Sequence, residues 1–138
     1  MSSVRKHVRI ARSADDVWKV IGDASAIASW SPNIEASPVS GNRRHIDYAA
    51  GFSTEEEIVT CDNALRRFQY RILECPVPVD YLGTVDVIED GEGALVIYSA
   101  EIRPDDLAEY TDETIGRGLA GLKDYLERGS TAFPFGTT

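Results

Sequence analysis

Residues 13–32 read SADDVWKVIGDASAIASWSP, and the way this stretch starts and stops helices decides the fold. Ser13 stands three residues before Asp16, which puts a hydroxyl at a helix N-cap and negative charge in the first turn, where free amide groups and the helix dipole favour it. A short helix over 14–21 follows, with Val17, Trp18 and Ile21 sharing one side. Gly22-Asp23 breaks it before a second short turn over 24–29, anchored by Ile27 and Trp30, and Pro32 prevents simple continuation. Two short helices ending at Trp30-Ser31-Pro32 therefore interrupt an otherwise strand-rich chain close to its start.

On the N-terminal side, Val4, Lys6, Val8 and Ile10 alternate with Arg5, His7 and Arg9, the period-two pattern of a strand with one wet face, expected over 3–11. On the other side, Gly41-Asn42, Gly51, Asp62-Asn63, Cys75-Pro76-Val77-Pro78 and Asp90-Gly91-Glu92-Gly93 punctuate an antiparallel meander. Its strands are expected over 34–40, 43–50, 52–60, 65–74, 81–89 and 94–103. Pro104 stops the last one. Asp105 or Asp106 then begins a helix whose Ile115, Leu119, Leu122 and Leu126 recur at three- and four-residue steps and face the sheet. One helix is thus left to close the concave face of a curved, seven-stranded sheet, and such closure leaves a cavity. Residues 129–138 read as a loose tail.

A chain of 138 residues is the length of about one domain. With 14 Lys and Arg against 23 Asp and Glu, the net charge of -9 repels nucleic acid and anionic lipid. No apolar run approaches the length of a membrane span, and residues 1–7 lack the apolar core of a secretory signal. A cytoplasmic protein without nucleic-acid or membrane partners is expected. Cys61 and Cys75 form no C-x-x-C pair and have no clustered His partner, so they read as reduced structural thiols and no metal site is expected. His7 and His45 fall on charged strand faces without a Cys or Ser nucleophile beside them, and no Gly-rich phosphate loop follows a strand. No cofactor is expected.

Strand alternation assigns faces, since a side chain and its second neighbour point the same way. Apolar residues mark the inside, which takes Arg44 in with Ile46 and Tyr48, Glu56 with Ile58, and Tyr70 with Phe68 and Ile72. Tyr81 goes with Gly83, Val85 and Val87, and Tyr98 with Val96, Ala100 and Ile102. The inward polar groups are therefore Arg44, Tyr48, Glu56, Tyr70, Tyr81 and Tyr98. Burial raises the pKa of a carboxyl such as Glu56 unless Arg44 holds it ionised. The two are read either as a cross-strand pair at the cavity rim or as proton-transfer machinery. The tyrosines suit plain core and ligand hydrogen bonding equally. Trp18 reads as core, whereas Trp30 is placed to line or gate a cavity mouth. Gly116, Gly118 and Gly121 weaken the long helix, which suggests either tight packing on the sheet or room for a ligand beside Leu119 and Leu122.

These residues carry a family resemblance. Asp16-Val17-Trp18, Gly22-Asp23, Trp30-Ser31-Pro32-Asn33-Ile34 and the C-terminal helix resemble the polyketide cyclase/dehydrase-like branch of the START and pollen-allergen-like (SRPBCC) superfamily. Gly41 followed by Arg44, Gly51 followed by Glu56, the Tyr-Arg-Ile-Leu-Glu-Cys-Pro-Val-Pro segment over 70–78, and Tyr81 add to it. The resemblance spans nearly the whole chain and implies an α+β helix-grip fold, a seven-stranded antiparallel sheet wrapped around the C-terminal helix with two short helices between the first two strands. It implies a small hydrophobic partner, aromatic or polyketide-like, held in an internal cavity by Trp30, Arg44, Tyr48, Tyr81, Tyr98, Leu119 and Leu122. The alternative it implies is a cofactor-independent cyclase or dehydratase in which Glu56 and Tyr70 move a proton during an aldol-type cyclisation or dehydration. A homodimer is a compatible assembly.

Overall fold

The computed structural model describes residues 1–131, with side chains through Arg128. Its elements run β1 (Ser2–Ile10), α1 (Ala14–Ile21), a 3-10 turn (Ala24–Ala26), α2 (Ile27–Trp30), β2 (Ile34–Ala36), β3 (Val39–Ser40), β4 (Arg43–Tyr48), β5 (Ser53–Asp62), β6 (Arg67–Glu74), β7 (Asp80–Asp90), β8 (Gly93–Arg103), a second 3-10 turn (Asp105–Leu107) and α3 (Ala108–Thr131). The strands form one antiparallel sheet in the order β1-β8-β7-β6-β5-β4-β2, with β3 also paired to β4. This is the expected architecture: a curled sheet of seven strand positions around a long C-terminal helix, with short helices between the first strand and the second.

Most element boundaries shift by one or two residues from expectation, and two differences are larger. The strand expected over 34–40 is split into β2 and β3, because Pro38 has no amide to give a ladder and Ser37 turns inward. The Ser37 hydroxyl donates to the Ser25 carbonyl (2.7 Å) and accepts from the Ala28 amide (3.2 Å), tying the break to the helical segment before it. At the other end, α3 continues to Thr131, three residues into the segment read as tail. Ion pairs one turn apart, Lys123 with Glu127 and Asp124 with Arg128, support its last turns. Residues 132–138 lie outside the described residues.

Local chemistry explains how the short helices are held. The Ser13 hydroxyl accepts from the Asp16 amide at 3.1 Å and caps α1. Trp18 is buried with Val17 and Ile21, and its indole donates to the Asn63 side chain at 2.8 Å. Most of the inward strand residues are buried, with Tyr48, Ile58 and Ile72 partly so, and Ile115, Leu119, Leu122 and Leu126 of α3 belong to the same core. At Gly121 a Cβ would lie 2.4 Å from the Trp30 carbonyl oxygen and 2.6 Å from Pro32 Cδ. The missing side chain is what lets α3 press against the 30–32 turn. Among the described residues no helix is long and apolar enough to cross a membrane.

Candidate functional site

Between the sheet and α3 lies a cavity of about 460 Å³. Four sheet tyrosines, Tyr48, Tyr70, Tyr81 and Tyr98, line it together with Glu56, Thr54 and Ile72. The helical segments close it with Ile27, Trp30, Leu107, Thr111, Ile115 and Gly118. Half-exposed Val77 and Tyr110 belong to its outer lining, as do Cys75 and Pro76 of the β6–β7 loop.

The structure gathers six of the expected site residues on this cavity and leaves three off it. Trp30, Tyr48, Glu56, Tyr70, Tyr81 and Tyr98 line it. Trp30 is only 7% exposed, so it forms wall rather than an open mouth. Arg44 does not line the cavity but sits behind Glu56. Leu119 and Leu122 are buried in the core beyond the lining, because the stripe they belong to reaches the cavity only at Ile115. The cavity is met by Ile115 of that stripe, by the neighbouring helix face of Thr111, Thr114 and Gly118, and by Leu107 of the preceding turn. The signal of that face in the sequence is a row of small and hydroxyl side chains at three- and four-residue spacing beside the apolar stripe. Phe52 was also missed. It stacks on Tyr48 at 4.4 Å between ring centroids and extends the aromatic wall from a loop position.

Register explains the central pair. Arg44 on β4 stands directly opposite Glu56 on β5. Its Nε donates to Glu56 Oε1 at 2.7 Å and its Nη2 lies 2.7 Å from the same oxygen. Nη1 donates to the Ala24 carbonyl at 2.9 Å, and the guanidinium centre lies 5.2 Å from the ring centroids of both Phe68 and Tyr70. One of the two expectations put the pair at the cavity rim; its side chains are instead 2% and 3% exposed. Among the described residues no donor reaches Glu56 Oε2. Burial lifts the Glu56 carboxyl above the usual carboxylate range, with the Arg44 charge opposing but not cancelling it. Burial is the largest single influence on Arg44 and acts to lower it, but the charge and hydrogen bond of Glu56, joined by Tyr70 and Tyr98, together hold the guanidinium above its ordinary value.

Beside the pair lies a phenol cluster. The Tyr70 hydroxyl is hydrogen-bonded to those of Tyr81, at 2.8 Å, and Tyr98. Gly83, opposite Tyr70 in the β6–β7 ladder, makes room for it, since a Cβ there would stand 2.5 Å from the ring. Burial pushes Tyr70, Tyr81 and Tyr98 upward, Tyr70 with added repulsion from Tyr81. Tyr48 is raised by burial and by Glu56. All four are therefore neutral phenols near pH 7, able to donate and accept hydrogen bonds but not to act as phenolate bases.

Residues 1–127 match the family described as polyketide cyclase / dehydrase and lipid transport. The chain belongs to that family. Among solved structures of this fold, the protein XoxI from Bacillus cereus is 26% identical, with a TM-score of 0.85 over 90% of this chain and 94% of that one. The di-domain ARO/CYC BexL from the BE-7585A biosynthetic pathway is 20% identical, with a TM-score of 0.77 over 92% of this chain and 47% of that one. A norcoclaurine synthase point mutant from Thalictrum flavum, in complex with a transition state analogue, is 17% identical, with a TM-score of 0.72 over 93% of this chain and 96% of that one. At that distance the last two share the fold with this polyketide cyclase / dehydrase family member. No curated protein matches the chain.

Proposed function

We propose that this member of the polyketide cyclase / dehydrase family binds a small, largely apolar molecule in the cavity between sheet and helix. The observation that carries the reading is a hollow of about 460 Å³ walled by aromatic and aliphatic side chains, with a buried carboxylate and a phenol cluster on its sheet side. That is the composition of a small-molecule site, in which apolar burial supplies affinity and a few fixed polar groups supply orientation. Native mass spectrometry of protein purified from its own host tests it. A co-purifying small molecule is expected, displaced by competing aromatic compounds. Failure of Trp30 fluorescence to respond to any of several apolar aromatics would count against the site, since that indole lines it.

A second reading, cofactor-independent cyclisation or dehydration, is favoured by one specific feature: among the described residues no donor reaches Glu56 Oε2, and its basicity is raised by burial. In this reading Oε2 takes the proton from carbon beside a bound carbonyl, while a phenol of the cluster donates to the carbonyl oxygen as negative charge develops there. The proton held on Glu56 is then returned, either to a β-hydroxyl that leaves as water while the C=C bond forms, or to the alkoxide formed when the enolate carbon bonds to a second carbonyl. In this reading Tyr70, raised by burial and so neutral, acts as donor rather than base. Glu56→Gln separates the readings, because it should abolish turnover of a bound β-hydroxy ketone while changing its affinity only a few-fold; unchanged turnover would remove Glu56 from the chemistry.

A further inference from the structure

We infer that the cavity selects uncharged guests that carry a hydrogen-bond donor, such as a phenol or a carboxamide, over carboxylate-headed molecules of the same shape, and that Glu56 sets this preference. The inference rests on the cavity being a ligand site and names the class of molecule that site takes.

The charge around the hollow is one-sided. Among the described residues no Lys, Arg or His lines it, and Glu56 is the one lining side chain with a formal charge. The guanidinium that balances Glu56 is spent behind the wall. Two of its nitrogens hold Oε1, a third holds the Ala24 carbonyl, and its faces are flanked by Phe68 and Tyr70. A carboxylate entering the cavity would therefore meet carboxylate oxygen without a facing cation, inside a low-dielectric wall where that repulsion is poorly screened. The molecular charge of -9 adds to the barrier at entry.

The hydrogen-bonding inventory points the same way. Oε2 of Glu56 is an acceptor in want of a donor. Thr54, which also lines the cavity, carries a buried hydroxyl without a hydrogen-bond partner among the described residues, so a donor is available for an acceptor on the guest. A carboxamide meets both needs, its N–H on Oε2 and its carbonyl on the Thr54 hydroxyl. A phenol meets the first. A carboxylate offers acceptors only and leaves Oε2 facing lone pairs.

Calorimetric titration near neutral pH with naphthamide, naphthoate and methylnaphthalene of one substitution pattern tests this. Amide and acid are nearly isosteric, and the hydrocarbon asks nothing of Glu56. The expected result is an amide at least about tenfold tighter than the acid in the wild type. The preference should fall to within about threefold in Glu56→Gln and in the paired replacement Arg44→Met with Glu56→Leu, which leaves no buried charge orphaned should the single variant not fold. Wild-type affinities for acid and amide within about threefold of each other, with methylnaphthalene bound, would overturn the inference and leave the ligand site standing. A preference that survived in the variants would overturn the role of Glu56. If none of the three compounds bound, the ligand site itself would fall, and the inference with it.

Discussion

The Arg44–Glu56 pair sets the energetics at the scale of single residues. Two buried charges held at 2.7 Å add little net stability over a well-packed apolar pair, but removing one partner strands the other in a dry site. Arg44→Met alone should therefore cost about 3–5 kcal/mol in urea unfolding, less if Glu56 takes up a proton. The paired replacement with Glu56→Leu should recover most of that loss. Gly83→Ala is a second case, since its Cβ would stand 2.5 Å from the Tyr70 ring and force the phenol cluster to shift. A loss of about 1–3 kcal/mol is expected, with Tyr70 fluorescence or ring NMR signals displaced. Strand parity alone brings Arg44, Glu56 and the tyrosines to the inner face, because alternation is a property of the backbone. It does not reveal that Arg44 lies behind the wall, since that follows from the Ala24 carbonyl, which reaches Arg44 only through tertiary packing.

Among the elements, α3 shows what helical periodicity can and cannot reveal. The stripe Ile115, Leu119, Leu122 and Leu126 was legible as the buried face and is buried. In the adjoining row that meets the cavity, Gly118 was legible as one of two alternatives, room for a ligand, but Thr111 and Thr114 were not, because hydroxyl residues at a helix surface look the same whether they face a hollow or water. The β2–β3 break was missed for a related reason: the Ser37 side chain chooses helix-segment partners that lie remote in sequence. The helix glycines divide cleanly. Gly116→Ala would bring its Cβ no closer than 3.4 Å to the flexible Lys6 side chain, so helix propensity should win and raise stability by about 0.5–1 kcal/mol. Gly121→Ala has the same propensity gain against a carbonyl oxygen at 2.4 Å. It should instead lose about 1–3 kcal/mol, because overpacking against backbone cannot relax by a rotamer change. Thermal or urea midpoints of the two variants should move in opposite directions.

For the molecule as a whole, two sets of titrating groups oppose each other on the acid side of neutrality. Asp47, lowered by the Ser53 hydroxyl, Asp105, lowered by the Ser2 hydroxyl, and Glu127, lowered by Lys123, are easier to ionise in the fold than in the open chain. Their contribution is present above the unfolded pKa and lost as pH falls through the folded one. Glu56 runs the other way. Its carboxyl is raised by burial, so its contribution is complete below the unfolded value of about 4.3 and is lost as pH rises through the folded pKa. His45, raised by Glu55 and Asp47, has the same sign from a largely solvated position. Comparing the wild type with the Arg44→Met, Glu56→Leu pair cancels every group except these two, and the Arg44 guanidinium stays protonated throughout. Urea midpoints taken in steps from acid to neutral pH should show the wild type gaining on the paired variant toward the acid end. A difference that instead widened toward neutral pH would mean that the Arg44 charge outweighs burial, with Glu56 held as a firmly ionised carboxylate and no raised basicity left for proton transfer.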